Sequence, residues 1–296
     1  MSLLKKYITL LFFLIMLCMQ SYAQDTVTFK KQRFIPLVAV AGAAYIGGMA
    51  GLYQLWYQGY PSEHFHFFND NDQWMQMDKS GHLFTCFQIG RYSIAALKWT
   101  GTNRKKAIWY GAATGLLFQT NIEIFDGFSS EWGFSVGDMT ANILGSTLLV
   151  SQYLAWNEIR IIPKFSFHTT EYATVHPELL GNSFGQQLFK DYNGQTYWLS
   201  FNIRKLTQQK FFWPEWLCVS AGYSAEEMIR GTTAESNAEG YYPYRQFYLS
   251  LDVDFQSIKT RSKFLKSVFY AVNMIKVPMP AVEFSEHGVK MYGIYF

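Results

Sequence analysis

The sequence predicts an α+β protein in which a membrane-associated bundle of about four helices precedes an antiparallel β-rich region. Residues 34–62 contain no charged side chain, and about 20 apolar residues suffice to span a bilayer. From about residue 160 onward, apolar and polar residues alternate as they do in half-buried strands. Aromatic residues make up 19% of the chain and charged residues only 16%, whereas soluble domains average about 25% charged residues. Tyr and Trp at this frequency are typical of membrane interfaces.

The first 23 residues have the organisation of a cleavable secretory signal. Lys5 and Lys6 precede an apolar run, and the run ends at small residues, among them Ala23. We therefore predict that residues 1–23 form a signal peptide and that the exported chain begins at Gln24. An uncleaved anchor helix is the alternative.

Net charge and cysteine content narrow the class of protein. The formal net charge is +3; residues 1–23 hold two lysines and no acid, so 23 basic against 22 acidic residues leave +1 after cleavage. Nucleic acid is therefore not a predicted partner, since it requires a strongly basic surface.

The cysteines indicate neither a lipid anchor nor a disulfide framework. Leu17 is too bulky for the position before a lipidated Cys18. Cys86 and Cys218 cannot form a disulfide framework, and two buried thiols are favoured over one disulfide.

Three further apolar segments are predicted to be helices, and each carries polar residues within it. They cover residues 82–99, 107–128 and 135–156, with a basic loop at 101–106 between the first two. Together with the uncharged run they form the predicted helical module, residues 24–158. A buried core helix is the alternative for the uncharged run. That run also holds small residues that permit close helix packing: Gly47, Gly48 and Gly51.

Residues 159–296 are predicted to be β-rich, with some six strands. Segment 247–255 shows the pattern best, because apolar residues alternate with Ser250, Asp252 and Asp254. Residues 191–194 and 231–240 are predicted to be turns or loops. Six strands are few for a closed membrane barrel, so an open sheet is slightly favoured over part of a barrel. Four more segments suit strands by their aromatic and β-branched content: 196–203, 216–224, 263–272 and 289–296.

Polar side chains inside the predicted helices are the candidate functional residues. Side chains three or four positions apart share a helix face, and carboxylates in apolar segments are unfavourable unless they are paired or face a cavity. Histidine beside a carboxylate suits general acid–base catalysis or metal binding. Our candidate catalytic residues are therefore His82, Glu123 and Asp138. The residues on shared faces are Asp78 with His82, Glu123 with Asp126, and Asp138 with Asn142 and Gly145.

A structural interpretation of the same residues is favoured over an active site. Buried polar residues among membrane helices often hold the helices together, and Asp78 could cap the helix that follows it. Ser135 and Asp138 fit a capping box at the start of another. His64 and His66 are candidates for metal ligands. We predict no cofactor.

Three separated motifs resemble a known family: "DKSGH" (78–82), "IEIFDGF" (122–128) and "SVGDMTANILGS" (135–146). Residues 74–150 are similar to the YfiM-like family of predicted periplasmic or lipoprotein-type envelope proteins, in a longer Bacteroidetes-type branch, and more distantly to VanZ-like membrane proteins. The resemblance implies a compact, membrane-associated helical module. Its motif positions here are Asp78, Lys79, His82, Glu123, Asp126, Ser135, Asp138, Asn142 and Gly145.

These observations predict an exported membrane protein of the cell envelope, acting as a scaffold or as an assembly or integrity factor. The alternative is a membrane enzyme that acts on a lipid or cell-wall precursor by histidine–carboxylate acid–base chemistry, with or without a metal. The expected partners are membrane lipid and other envelope proteins. The signal peptide, the modest mean hydropathy and the terminal Phe296 favour the outer membrane. The uncharged run from Phe34 favours the inner membrane, because the translocon could retain it.

Overall fold

The computed structural model describes residues 28–207 and 213–296, so the predicted signal peptide lies outside the described residues. The protein is α+β, as predicted. Its described part contains ten α-helices and one six-stranded antiparallel sheet.

The uncharged run forms a long helix. Helix α1 covers Lys31–Leu52 and continues as the π-helical turn Tyr53–Tyr57. Among the described helices, this one alone is long and apolar enough to cross a membrane, with a mean hydropathy of 1.7 in its most apolar window. None of its residues is buried, so the rest of the described chain does not cover it as it would cover a core helix.

Three helices that follow pack into one compact unit. They are α2 (Met77–Trp99), α3 (Arg104–Gly127) and α4 (Val136–Trp156), and all three were predicted. Helix α3 begins inside the predicted loop, because the Asn103 side chain caps it by accepting from Lys105 N–H at 3.0 Å. Helix α1 lies beside this unit without burying a residue, so the expected four-helix bundle is not confirmed. The core of the unit contains Phe87, Ile94, Ile108, Ala112, Leu149 and Tyr153.

Glycines set how closely these three helices approach. A Cβ added at Gly145 would lie 2.4 Å from the carbonyl oxygen of Leu83, and one at Gly115 would lie 2.3 Å from that of Cys86. In contrast, Gly47 in α1 has nothing within 4 Å of its Cβ position. Close packing through small residues therefore occurs at Gly145, as predicted, and not at Gly47.

We expect Gly145→Ala to lower the free energy of unfolding by about 1–3 kcal/mol, because the new methyl group pushes α4 away from the α2 backbone. The matched control is Gly47→Ala, which should be neutral or stabilise the helix by up to about 1 kcal/mol. Thermal unfolding of both variants in detergent measures the difference. Equal melting temperatures would show that the contact at Gly145 is not tight.

The β-rich region forms one sheet whose strands lie in sequence order, each antiparallel to the next. The strands are β1 (Ile161–Phe167), β2 (Gln195–Phe201), β3 (Leu217–Glu226), β4 (Tyr244–Val253), β5 (Met279–Ser285) and β6 (Gly288–Tyr295). The helices between strands are α5 (Tyr172–Val175), α6 (Pro177–Leu180), α7 (Phe184–Lys190), α8 (Ile203–Thr207), α9 (Thr233–Ala238) and α10 (Lys263–Val272).

Two predicted segments have a different structure. Residues 263–272, predicted to be a strand, form helix α10; Ser262 caps it, and its apolar residues fall on one helical arc. The predicted loop 231–240 contains helix α9, which starts with a capping box between Thr232 and Glu235. In both cases a capping side chain marks the start of the helix. Strands β1 and β5 were not among the segments predicted individually.

The sheet reverses the usual polarity of a soluble protein. On β4, Ser250 and Asp252 are buried, whereas Phe247 is 54% and Leu249 is 50% exposed. Asp252 forms a fully buried ion pair with Lys164 on β1, at 2.9 Å. The buried face is thus largely polar, with Trp198 and Tyr248 also buried on it, and the exposed face is apolar.

The sheet curls around its polar face. The Thr196 hydroxyl on β2 lies 3.1 Å from the Tyr295 hydroxyl on β6, although three strands separate them. Part of the apolar face packs on the helical unit, where Phe84 of α2 contacts the rings of Phe165 and Tyr197. The rest of that face, on β4–β6, is exposed.

Candidate functional site

The predicted site residues meet at one end of the helical unit, where α2 and α4 begin and α3 ends. Segment 62–76 runs beside the α3–α4 connection: His66 N–H donates to Gly127 O at 2.9 Å, and Phe134 N–H donates to His66 O at 3.0 Å. This backbone pairing positions Asp70 at the site.

Lys79 lies at the centre of three carboxylates. Its Nζ is 2.9 Å from Asp70 Oδ1, 3.2 Å from Asp78 Oδ2 and 3.2 Å from Asp138 Oδ1. Burial opposes the charge on Lys79, but Asp78, Asp138 and Asp70 raise its pKa above the ordinary value. Burial also opposes ionisation of Asp70, yet hydrogen bonds with Asp138, Ser135 and Lys79 lower the pKa of Asp70 to about 2. The ammonium group is therefore a fixed counter-ion.

Ser135 connects helices α3 and α4 with the segment 62–76. Its hydroxyl accepts from Asp138 N–H at 3.0 Å, which caps α4, and donates to Asp70 Oδ1 at 2.6 Å. Its backbone N–H donates to Glu123 Oε2 at 3.1 Å. The predicted capping role of Ser135 is confirmed, while Asp78 lies in the first turn of α2, whose N-cap is Gln76.

His82 faces the other two helices through one ring nitrogen. Its Nδ1 lies 3.2 Å from Asn142 Oδ1, 3.2 Å from Gln119 Nε2 and 3.5 Å from Glu123 Oε1. Depending on its tautomer, Nδ1 donates to Asn142 or accepts from Gln119. Burial lowers the pKa of His82, so the neutral imidazole is favoured.

Asp126 has a separate structural contact. The Tyr57 hydroxyl at the end of the first helix donates to Asp126 Oδ1 at 2.6 Å. Burial raises the pKa of Asp126 to about 7. Asp126 therefore connects α1 to α3, and His82 is not among its contacts.

Burial raises the pKa of the other acids as well. It raises the pKa of Glu123 to about 9, with Asp138 and Asp126 adding to the shift. It raises the pKa of Asp138 to about 7, and that of Asp78 to about 6. The cluster therefore holds carboxyl groups that are protonated or share protons near neutral pH.

We expect the protein to lose stability as the pH rises from about 5 to about 9. The folded-state pKa of Glu123 lies above its ordinary value, so the folded state binds the extra proton and its advantage disappears as that proton dissociates. Glu123→Gln should reduce this fall in melting temperature, whereas Glu131→Gln, at an exposed position, should not. A parallel pH dependence in all three proteins would contradict the assignment.

Two groups of side chains have ligand atoms close enough to hold a metal ion. In each group the ligand atoms lie within 4.8 Å of one another: His82, Glu123 and Asp138 form the first group, and Asp70, Asp78 and Asp138 the second. Lys79 already supplies the positive charge in the second group. In the first group, Glu123 Oε1 is buried without a hydrogen bond from any described residue. His64 and His66 belong to neither group.

The structure brings most predicted residues together. Asp78, Lys79, His82, Glu123, Ser135, Asp138 and Asn142 form one contact network, while Gly145 permits the helix approach behind it. Two contacting residues were not predicted: Gln119, which bonds His82, and Tyr57, which bonds Asp126. Gln119 lies four positions before Glu123 and thus on the same helix face, a spacing that could have identified it.

Cys86 and Cys218 are both buried and unpaired, which confirms the two buried thiols. Burial raises the pKa of Cys86 and of Cys218 to about 12 in each case. Neither thiol is therefore suited to act as a nucleophile.

One family model matches the chain: residues 66–154 match the family described as "Predicted periplasmic lipoprotein (DUF2279)". The match is less than a third of the chain and contains every motif of the site. It supports a cell-envelope protein of unknown role, while the YfiM-like and VanZ-like resemblance stays a prediction. No curated protein and no solved structure matches the chain.

Proposed function

We propose that this protein is a lipid-embedded scaffold of the cell envelope, in which the polar cluster holds three helices together and performs no reaction. One observation carries the proposal: Lys79 Nζ lies within 3.2 Å of Asp70, Asp78 and Asp138. The protein's own ammonium group thus fills the place that a catalytic cation or a charged substrate would take. Removing the charge partner of such a group is strongly destabilising, as expected for a structural centre.

The reversed polarity of the sheet supports embedding in lipid. A polar interior and an apolar exterior are the pattern of outer-membrane sheets, and large apolar side chains such as Met291 (82% exposed) and Ile294 (75%) lie on the outer side. The exposed helix α1 provides a further apolar surface. We therefore place the protein in the outer membrane, with membrane lipid as its main partner.

Density-gradient separation of inner and outer membranes tests the location. The protein should co-fractionate with outer-membrane markers. Washing the membranes with salt or carbonate should not release it, because its exposed apolar surface contacts lipid. Co-migration with inner-membrane markers would instead support α1 as a retained inner-membrane span.

An enzyme that uses acid–base chemistry is the second candidate. The observation in its favour is that His82, Glu123 and Asp138 place ligand atoms within 4.8 Å of one another. An unbonded oxygen of Glu123 faces His82 Nδ1 at 3.5 Å, which is within reach of one proton transfer after a small movement.

The variant Glu123→Gln separates the two candidates. It keeps an acceptor for Ser135 N–H and removes only the ionisable group. A scaffold should keep its melting temperature at about pH 4, where Glu123 is protonated, and should keep its ability to complement a deletion strain. An enzyme should keep its fold and lose complementation. Gly145→Ala is the control, because a scaffold should lose folded protein and function in parallel at that position.

A further inference from the structure

We propose that helix α10 and the groove beside it bind the headgroups of anionic phospholipids. The inference rests on the proposed embedding in lipid and specifies which lipid the protein contacts and where. Three observations support it: the orientation of α10, the charges around the groove, and the position of the helix and the groove at the same end of the molecule.

Helix α10 turns its apolar side away from the protein. Phe264 is 74% and Leu265 is 40% exposed, and no residue of the helix is buried. The attachment to the body is made by the C-terminal half of the helix: the Tyr270 hydroxyl donates to Arg91 O at 2.8 Å, and Phe269 stacks on Phe255. An amphipathic helix with its apolar side outward is the arrangement of helices that lie in a membrane interface.

The charges favour an anionic membrane. Residues 259–272 contain four basic residues and no acidic one, and basic clusters on amphipathic helices attract anionic lipids. The basic residues are Lys259, Arg261, Lys263 and Lys266.

An open groove of about 750 Å³ lies between α10, α8 and the end of α4. Four basic and two acidic side chains line it; ion pairs with Glu215 and the buried Asp254 occupy three of the basic ones, and Lys266 has no such partner among the described residues. Beneath it, the guanidinium of Arg91 is fully buried, has no hydrogen-bond acceptor among the described residues, and lies 4.4 Å from the ring of Tyr270, which lines the groove. This volume and net positive charge suit a phosphate-containing headgroup.

The groove opens at the basic end of the helical unit. Glu158, which lines it, follows the end of α4, and Arg104 at the start of α3 donates to Tyr153 O at 2.9 Å. Helix α1 also begins here, because Lys30 N–H donates to Thr100 O at 2.8 Å. The acids of the polar cluster lie at the opposite end. One end of the molecule is therefore suited to an anionic lipid surface.

The test uses the full chain reconstituted into vesicles of phosphatidylcholine, with and without phosphatidylglycerol. A spin label is placed at Phe264→Cys, with Lys266→Cys on the opposite side of the helix as the comparison position, in a Cys18→Ser background. Cys86 and Cys218 are fully buried and should not react. The label at 264 should be accessible to oxygen and protected from a water-soluble nickel reagent only when phosphatidylglycerol is present.

Charge variants identify the source of the preference. Each of Lys263→Gln and Lys266→Gln should weaken the response to phosphatidylglycerol by about fivefold, whereas Lys263→Arg and Lys266→Arg should leave it unchanged. Equal protection of the label in both vesicles would overturn the anionic preference. If the label at 264 is exposed to water in both kinds of vesicle while the chain remains embedded, docking by α10 is overturned and the embedding in lipid is not. Failure of the chain to enter any vesicle would overturn the proposed function itself.

Discussion

Replacing Lys79 with methionine is expected to lower the free energy of unfolding by about 3–5 kcal/mol above about pH 8. The substitution leaves Asp70, Asp78 and Asp138 close together without a cation, and only 14% of the Lys79 side chain is exposed to solvent that could screen them. Equilibrium unfolding in denaturant measures the change.

The pH dependence of this loss identifies its cause. Below about pH 5 the three carboxyl groups can take up protons, so Lys79→Met should approach the stability of the parent. Lys106→Met, at an exposed position of α3, should change stability by less than about 0.5 kcal/mol at any pH. A loss that is the same at acid and alkaline pH would indicate lost side-chain packing in place of lost charge compensation.

Asp252→Ala is expected to have an effect of similar size in the sheet, about 3–5 kcal/mol. Asp252 Oδ2 lies 2.9 Å from Lys164 Nζ and accepts from the Ser200 hydroxyl at 2.6 Å. Both charged side chains are completely buried. Without the carboxylate, the Lys164 ammonium keeps one acceptor, Val253 O at 2.6 Å, and its charge stays uncompensated.

The double variant Lys164→Met with Asp252→Leu is the control. Apolar residues of similar volume can replace a buried ion pair with little loss of stability, so the double variant should unfold at a higher denaturant concentration than Asp252→Ala alone. Additive losses would show that the two residues stabilise the sheet independently.

Much of the fold could be predicted from local patterns. The three central helices and the β-rich second half follow from the spacing of apolar residues. The prediction of a strand at 263–272 was wrong because a short segment rich in aromatic and β-branched residues satisfies both periods. Only the cap at Ser262 and the outward arc of Phe264 and Leu265 distinguish the helix.

The site was predicted as a set of residues, and their roles were not. Asp78 and His82 share a helix face by spacing alone, whereas the contact between Lys79 and Asp138 joins residues 59 positions apart. Such a contact depends on how α2 and α4 cross, which Gly145 permits but does not specify. Tyr57, outside every motif, bonds Asp126 beside the site.

By itself, the sequence determined the α+β class, the three central helical segments and the residues that would be unfavourable to bury alone. Period, composition and charge are local properties of the chain. The tertiary structure alone decided that Lys79 neutralises the acids, that the sheet turns its apolar face outward, and that α10 does the same. Alternation tells which side chains share a face of a strand or helix, but only packing decides which face is covered by protein.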